Sequence, residues 1–176
     1  IINTHINQGG CIVLNNKSVL EKNFWTTLQK NKVSNFGGVP YTYSILEKIN
    51  LENFNLENLK YTTQAGGKLS PKITKNIIKK YEKLKIKLIV MYGAAEATAR
   101  MSYLPWKNLK YKIGSIGKPI PGGKFYIIDE KNKKISVPNK SGELVYRGKN
   151  VCMGYAKNIN DLSKEDQNKG FLKTGD

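Results

Sequence analysis

Apolar positions in the first half of the chain follow two alternating periods. Short apolar runs rich in β-branched residues mark buried strands. The sharpest is Leu88 to Met91, wholly apolar and buried on both faces; Cys11 to Leu14 reads as a short buried strand, and Val33 to Phe36 and Leu59 to Gln64 as further strands. Between them, apolar residues recur at helical spacing. Leu20, Phe24 and Leu28 form one such face, behind a capping box of Ser18 with Glu21. Pro40 suits the first turn of a helix running to about Ile49. Ser70 and Pro71 supply the N-cap and first turn of another, with Ile73, Ile77, Tyr81 and Leu84 inward. Ile1 to Gln8 reads as the end of a helix capped by Gly9 and Gly10. Strand and helix in alternation predict a parallel, helix-covered sheet.

The pattern changes after Lys107. Gly114, Gly117, Pro119, Pro121, Gly122 and Gly123 exclude a helix. Phe125 to Ile128 and Leu144 to Tyr146 read as short strands, with a polar turn over Asp129 to Lys134 and a loop from Pro138 to Gly142. Short strands with turn signals point to a small antiparallel sheet or barrel. The expected fold is therefore α/β: a parallel helix-covered sheet subdomain over 1–108, then a small β-barrel-like antiparallel subdomain over 109–176.

At 176 residues the chain can bury a real core. No stretch is apolar enough to span a membrane, and no N-terminal signal peptide is visible. The two cysteines, Cys11 and Cys152, have no metal or redox spacing and read as buried thiols in a reducing cytoplasm. His5 is the only histidine, which argues against a histidine metal site or a Ser-His-Asp triad. The formal net charge of +17 admits a nucleic-acid partner. Yet only Arg100 and Arg147 are arginine, and base readout usually draws on arginine's planar fork. The lysines are scattered, and Lys79-Lys80 and Lys133-Lys134 read as solvated faces. A basic nucleic-acid-binding domain is therefore the weaker reading of the charge.

Candidate chemistry gathers where the strand from Leu88 ends. Tyr92 and Gly93 close it, and Glu96 follows on a loop. Open α/β sheets bind ligands just beyond the carboxyl ends of their strands. Taken alone, the stretch reads equally well as strand, glycine turn and surface acid.

Other segments shift that balance. The run YGAAE from Tyr92 resembles the YGxTE motif of the adenylate-forming superfamily, which holds acyl-CoA synthetases, luciferases and peptide-synthetase adenylation domains. Gln64 to Leu69 (QAGGKL) resembles that family's glycine pair. GSIGKPIPGG from Gly114, GELVYRGKNVCMGY from Gly142 and FLKTGD from Phe171 resemble its next three motifs, in order. The resemblance covers essentially the whole chain.

The resemblance implies an enzyme, an acyl-activating ligase that joins a carboxylic acid to ATP with magnesium and passes the acyl group to coenzyme A or a carrier-protein thiol. Tyr92 would lie along the adenine, with Gly66 and Gly67 letting backbone approach its other face and Lys68 beside them. Glu96 would bind magnesium, which takes few protein carboxylates. Gly93 and Ala94 would line the acyl side, Phe36, Gly37, Gly38 and Val39 part of the acyl pocket, and Asp176 would hold the ribose hydroxyls. Ala95 departs from the pattern, since the family usually has there a threonine that bonds the α-phosphate. That leaves the task to Thr98 or backbone N–H groups, and leaves room for a non-catalytic nucleotide-binding homologue. The phosphate loop would precede Ile1 and the lid domain with its lysine would follow Asp176. The resemblance thus implies a fragment that is inactive in isolation.

Overall fold

The computed structural model describes residues 2–176, and for Thr4 only the backbone. The chain divides into two units, Ile1–Ile89 and Val90–Asp176. The expected first helix starts at Ile1, which lies outside the described residues.

In the first unit, α1 (Ile2–Asn7) ends where Gly9, at φ +70°, donates to the Ile6 carbonyl and Gly10 to that of His5. That is the glycine C-cap expected. The run Cys11 to Leu14 is not a strand. It forms no regular element, and Cys11 and Leu14 are exposed. Both thiols also depart from the buried reading: Cys11 is exposed and Cys152 half-buried.

Helix α2 (Lys22–Lys30) starts later than its sequence signals suggest. Glu21 accepts from the Ser18 N–H at 2.8 Å, so half of the capping box forms, but it closes a turn ahead of the helix. The buried face is accordingly Trp25 and Leu28, while Leu20 is exposed. Trp25 stacks on Phe54 and donates its indole N–H to the Val19 carbonyl.

Strand β1 (Asn35–Gly38) leads into α3 (Pro40–Lys48), with Pro40 in its first turn. β1 pairs in parallel with β2 (Tyr61–Gln64). Helix α4 (Pro71–Lys83) has the cap read from sequence, with the Ser70 hydroxyl accepting from the Ile73 N–H. Its inward residues include Ile77 and Tyr81. Lys80, read as part of a solvated face, instead turns its ammonium onto the Glu47 and Ile49 carbonyls and caps α3. Strand β3 (Lys87–Tyr92) follows, giving the order β1-β2-β3. Only Leu88 in it is fully buried, so the strand is less enclosed than its apolar run implied.

A polar chain runs through this core. The buried Tyr43 hydroxyl donates to Thr62 Oγ1 at 2.9 Å, and Thr62 Oγ1 donates to the Tyr81 hydroxyl at 3.2 Å. Burial drives both phenols' pKa upward, that of Tyr81 to about 12. They stay neutral because a phenolate would lose its hydration there.

The division between units falls inside β3. In the second unit, β3 pairs antiparallel with β4 (Ser102–Leu104), and β4 with β5 (Lys118–Pro119). A second sheet holds β6 (Lys124–Ile128), β7 (Lys134–Ile135), β8 (Glu143–Arg147) and β9 (Phe171–Lys173). Its order is β7-β6-β8-β9, and every pairing in it is antiparallel. β7 and β9 are its edges, so the antiparallel sheet forms as expected but these four strands do not close into a barrel. Its core joins Ala97, Met101 and Tyr146, with Tyr92, Phe125 and Leu172 packed against them. Among the described residues no helix is long and apolar enough to cross a membrane.

Candidate functional site

In the second unit the chemistry gathers at the C-terminal end of β3. The strand delivers Tyr92 half-buried, its ring 6.3 Å from that of Phe125. The Tyr92 hydroxyl donates to the Asp176 carboxylate. Burial first, and then Asp176 itself, push the Tyr92 phenol up, so it remains the donor. Asp176 is tied further: its carbonyl accepts from the Leu144 N–H at 3.0 Å, and its N–H donates to Thr174 Oγ1 at 3.2 Å. Two sequence-predicted residues, 84 positions apart, thus meet.

Beyond Tyr92 the chain makes a tight excursion. Gly93 is required by packing, since a Cβ there would collide with the Ala99 carbonyl. A single 3₁₀ turn over Ala95–Ala97 lifts Glu96, and Met101 returns to bond the Tyr92 carbonyl at 2.9 Å. Ala94 packs against the core cluster, and Ala95 is exposed. The Glu96 carboxylate accepts from the Tyr155 hydroxyl. That bond holds the Glu96 carboxyl below the ordinary carboxylate range, so it is anionic at neutral pH. An anionic, partly exposed oxygen donor suits a hard cation such as magnesium beside phosphate oxygens. Among the described residues there is no cluster of three or more His, Cys, Asp or Glu side chains placed to hold a metal.

In the first unit, Phe36, Gly37 and Gly38 form the end of β1, and Val39 follows as an exposed residue ahead of α3. Phe36 and Gly37 line a cavity of about 250 Å³ with Phe24, Leu28 and Val33 among its other walls. Gly66 and Gly67 sit in the turn after β2 at φ +78° and +153°, values that favour glycine. A Cβ on Gly66 would stand 3.3 Å from Val39, and one on Gly67 3.1 Å from Pro40, so the glycine turn lies against the β1–α3 junction. Gln64 steadies it by donating to the Gly67 carbonyl at 2.8 Å. Lys68 is exposed.

Sequence reasoning missed the residues that grip the Glu96 turn. Asn150 bonds the Ala97 and Arg100 carbonyls, and the Cys152 N–H donates to the Glu96 carbonyl at 2.7 Å. Tyr155 holds the carboxylate itself. All three lie in the stretch GELVYRGKNVCMGY, whose pattern carried a resemblance but no individual roles.

A sheet with a parallel β1–β2 pair, crossover helices and a second, antiparallel sheet make an α/β fold. The family model for AMP-binding enzyme matches residues 1–156, and the chain belongs to that family. It is 30% identical over 157 residues to luciferin 4-monooxygenase of Nipponoluciola cruciata, covering 89% of this chain and 28% of that protein. It is 30% identical over 156 residues to oxalate–CoA ligase of Arabidopsis thaliana, covering 87% of this chain and 29% of the relative. The chain therefore spans under a third of these curated relatives. The fold matches o-succinylbenzoate CoA synthetase of Bacillus subtilis bound to its acyl-adenylate intermediate. That match has a TM-score of 0.81 at 21% identity and covers 99% of this chain and 34% of the other. The same synthetase with ATP and magnesium matches at TM-score 0.76, with 22% identity and 96% and 33% coverage.

Proposed function

We propose that this chain is a section of an ATP-dependent acyl-activating ligase. The reaction joins a carboxylic acid to ATP: a carboxylate oxygen bonds the α-phosphorus as the bond to pyrophosphate breaks. The acyl group of the resulting acyl-adenylate then passes to a thiol such as coenzyme A or a carrier-protein thiol. The observation that carries this reading is the Tyr92–Asp176 hydrogen bond, which joins a flat aromatic wall to a carboxylate at the end of β3. An adenosine needs that pair: a ring for the base and an acceptor for the ribose hydroxyls.

In this reading Gly66 and Gly67 offer side-chain-free backbone to the base, with Lys68 beside them. Gly93 and Ala94 keep the acyl side open. Phe36, Gly37, Gly38 and Val39 contribute part of the acyl pocket, a role supported by the cavity that Phe36 and Gly37 line. Glu96 holds magnesium, which when bound neutralises phosphate charge. Ala95 has no hydroxyl for the α-phosphate, so backbone N–H groups or Thr98 take that part. Catalysis then rests on positioning and electrostatics. The phosphate loop and lid that complete such a site would come from the rest of a longer protein, and the isolated chain would not form acyl-adenylates. We place that protein in the cytoplasm.

Thermal denaturation of the full-length protein tests the reading. Magnesium and ATP should raise the midpoint, as any ligand that binds only the folded state does. No ATP shift together with RNA or DNA binding that falls steeply with salt would replace it with the nucleic-acid reading.

A further inference from the structure

The excursion that carries Glu96 is strained where it turns back. Thr98 at φ +51° and Ala99 at φ +64° are consecutive non-glycine residues in the left-handed region. A side chain there crowds the following carbonyl, so such a pair persists only where its surroundings hold it. The carbonyls on either side of the pair belong to Ala97 and Arg100. The Asn150 carboxamide donates to both, at 2.7 and 3.1 Å, and its Oδ1 accepts from the Tyr146 hydroxyl at 2.9 Å. The amide's orientation follows from its partners, because only the NH₂ end can serve two carbonyls. Tyr146 is fully buried and packs with Ala97 and Met101, so Asn150 is anchored to the core of the second unit. Two and five residues further on, Cys152 and Tyr155 bond the carbonyl and the carboxylate of Glu96.

We propose that Asn150 is a positioning residue for Glu96: its carboxamide clamps the left-handed Thr98–Ala99 pair and so fixes where the magnesium-binding carboxylate stands. Asn150 bonds the excursion's backbone and Tyr146, not the Glu96 carboxylate. The proposal rests on the reading of Glu96 as the magnesium ligand. Groups that orient a metal ligand typically change metal affinity by about 10–100-fold when lost.

The test is Asn150→Asp in the full-length protein, with Glu96→Gln as control. Aspartate keeps the acceptor for Tyr146 but turns an anion towards two carbonyls. Two quantities are read: the magnesium concentration that half-saturates ATP binding, and hydrogen exchange of the amides from Ala97 to Met101 relative to those of β8. The proposal expects half-saturation to rise about tenfold or more. It also expects exchange to quicken in the excursion alone, since local opening is its signature. ATP affinity without magnesium should stay within about twofold, because Tyr92 is untouched. If Glu96→Gln leaves half-saturation unchanged, Glu96 is not the magnesium ligand and the proposal falls with that reading. If Glu96→Gln raises it and Asn150→Asp does not, the positioning role alone is overturned. Uniform loss of protection across β8 and the excursion, with magnesium half-saturation unchanged, would make Asn150 a purely structural residue. Should Asn150→Asp not fold, Tyr146→Phe is read by the same criteria. It keeps the ring and removes the bond that orients the carboxamide.

Discussion

Replacing Tyr92 separates the work of its ring from that of its hydroxyl. Stacking of a base on an aromatic side chain contributes about 1–3 kcal/mol. Tyr92→Ala should therefore weaken ATP binding by about 5- to 140-fold, at about 1.4 kcal/mol per tenfold. The ring also packs near Phe125 and the Ala97–Met101–Tyr146 cluster. It is only half-buried, so its loss should destabilise the fold by less than the about 3–5 kcal/mol of a fully buried aromatic. Tyr92→Phe keeps the ring and the packing and loses the hydroxyl, with its bond to the Asp176 carboxylate. A hydrogen bond to a charged group contributes about 1.5–3 kcal/mol, and only the share that steadies Asp176 towards the ribose reaches ATP, so phenylalanine should bind between wild type and alanine. The assay is calorimetric titration of the full-length protein with ATP and magnesium, at a temperature where circular dichroism shows every variant folded. Alanine binding within twofold of wild type would remove the ring from the adenine site. Phenylalanine as weak as alanine would show that the hydroxyl, through Asp176, carries the affinity instead.

Ala95→Thr should speed adenylation, because position 95 is exposed and accepts the larger side chain. The restored hydroxyl meets a charged phosphate oxygen, a bond of about 1.5–3 kcal/mol. Slower pyrophosphate exchange in this variant would mean that the turn works only with alanine. At alkaline pH the fold should weaken through the buried Tyr43–Thr62–Tyr81 chain. Both folded-state pKa values lie above the unfolded value, so this stabilisation is complete below about pH 10 and lost as pH rises through the folded values. For Tyr81, shifted to about 12, the loss approaches about 3 kcal/mol. Urea midpoints at rising pH measure it, and Tyr81→Phe should flatten the decline. A decline equally steep in that variant would place the alkaline weakness elsewhere.

Local signals located the elements whose causes are local. Ser70 and Pro71 begin α4 because a hydroxyl acceptor and a fixed φ act within one turn. Leu88 to Met91 announced β3, the strand that places Tyr92. Cys11 to Leu14 has the same apolar character but gains no strand partner, and periodicity carries no information about partners. The Ser18–Glu21 pair formed in part yet did not start the helix, because a short turn intervenes. Glu96 could be picked out by its place after a strand, whereas its grip by Cys152 and Tyr155 joins segments more than fifty residues apart. Asn150 was invisible for the same reason, since an asparagine in a loop looks alike whether it faces water or clamps two carbonyls.

Glu96 is the residue on which the proposed chemistry most directly depends. ATP–pyrophosphate exchange in the full-length protein, with magnesium and a panel of carboxylic acids, compares wild type with Glu96→Gln. Glutamine keeps the volume and a hydrogen-bond acceptor for Tyr155 but removes the anionic charge. Wild type should exchange with at least one acid, and the variant should be slower by about 10²–10³-fold with its fold intact. Equal exchange in both proteins would contradict the account, leaving Glu96 a surface acid held by a tyrosine.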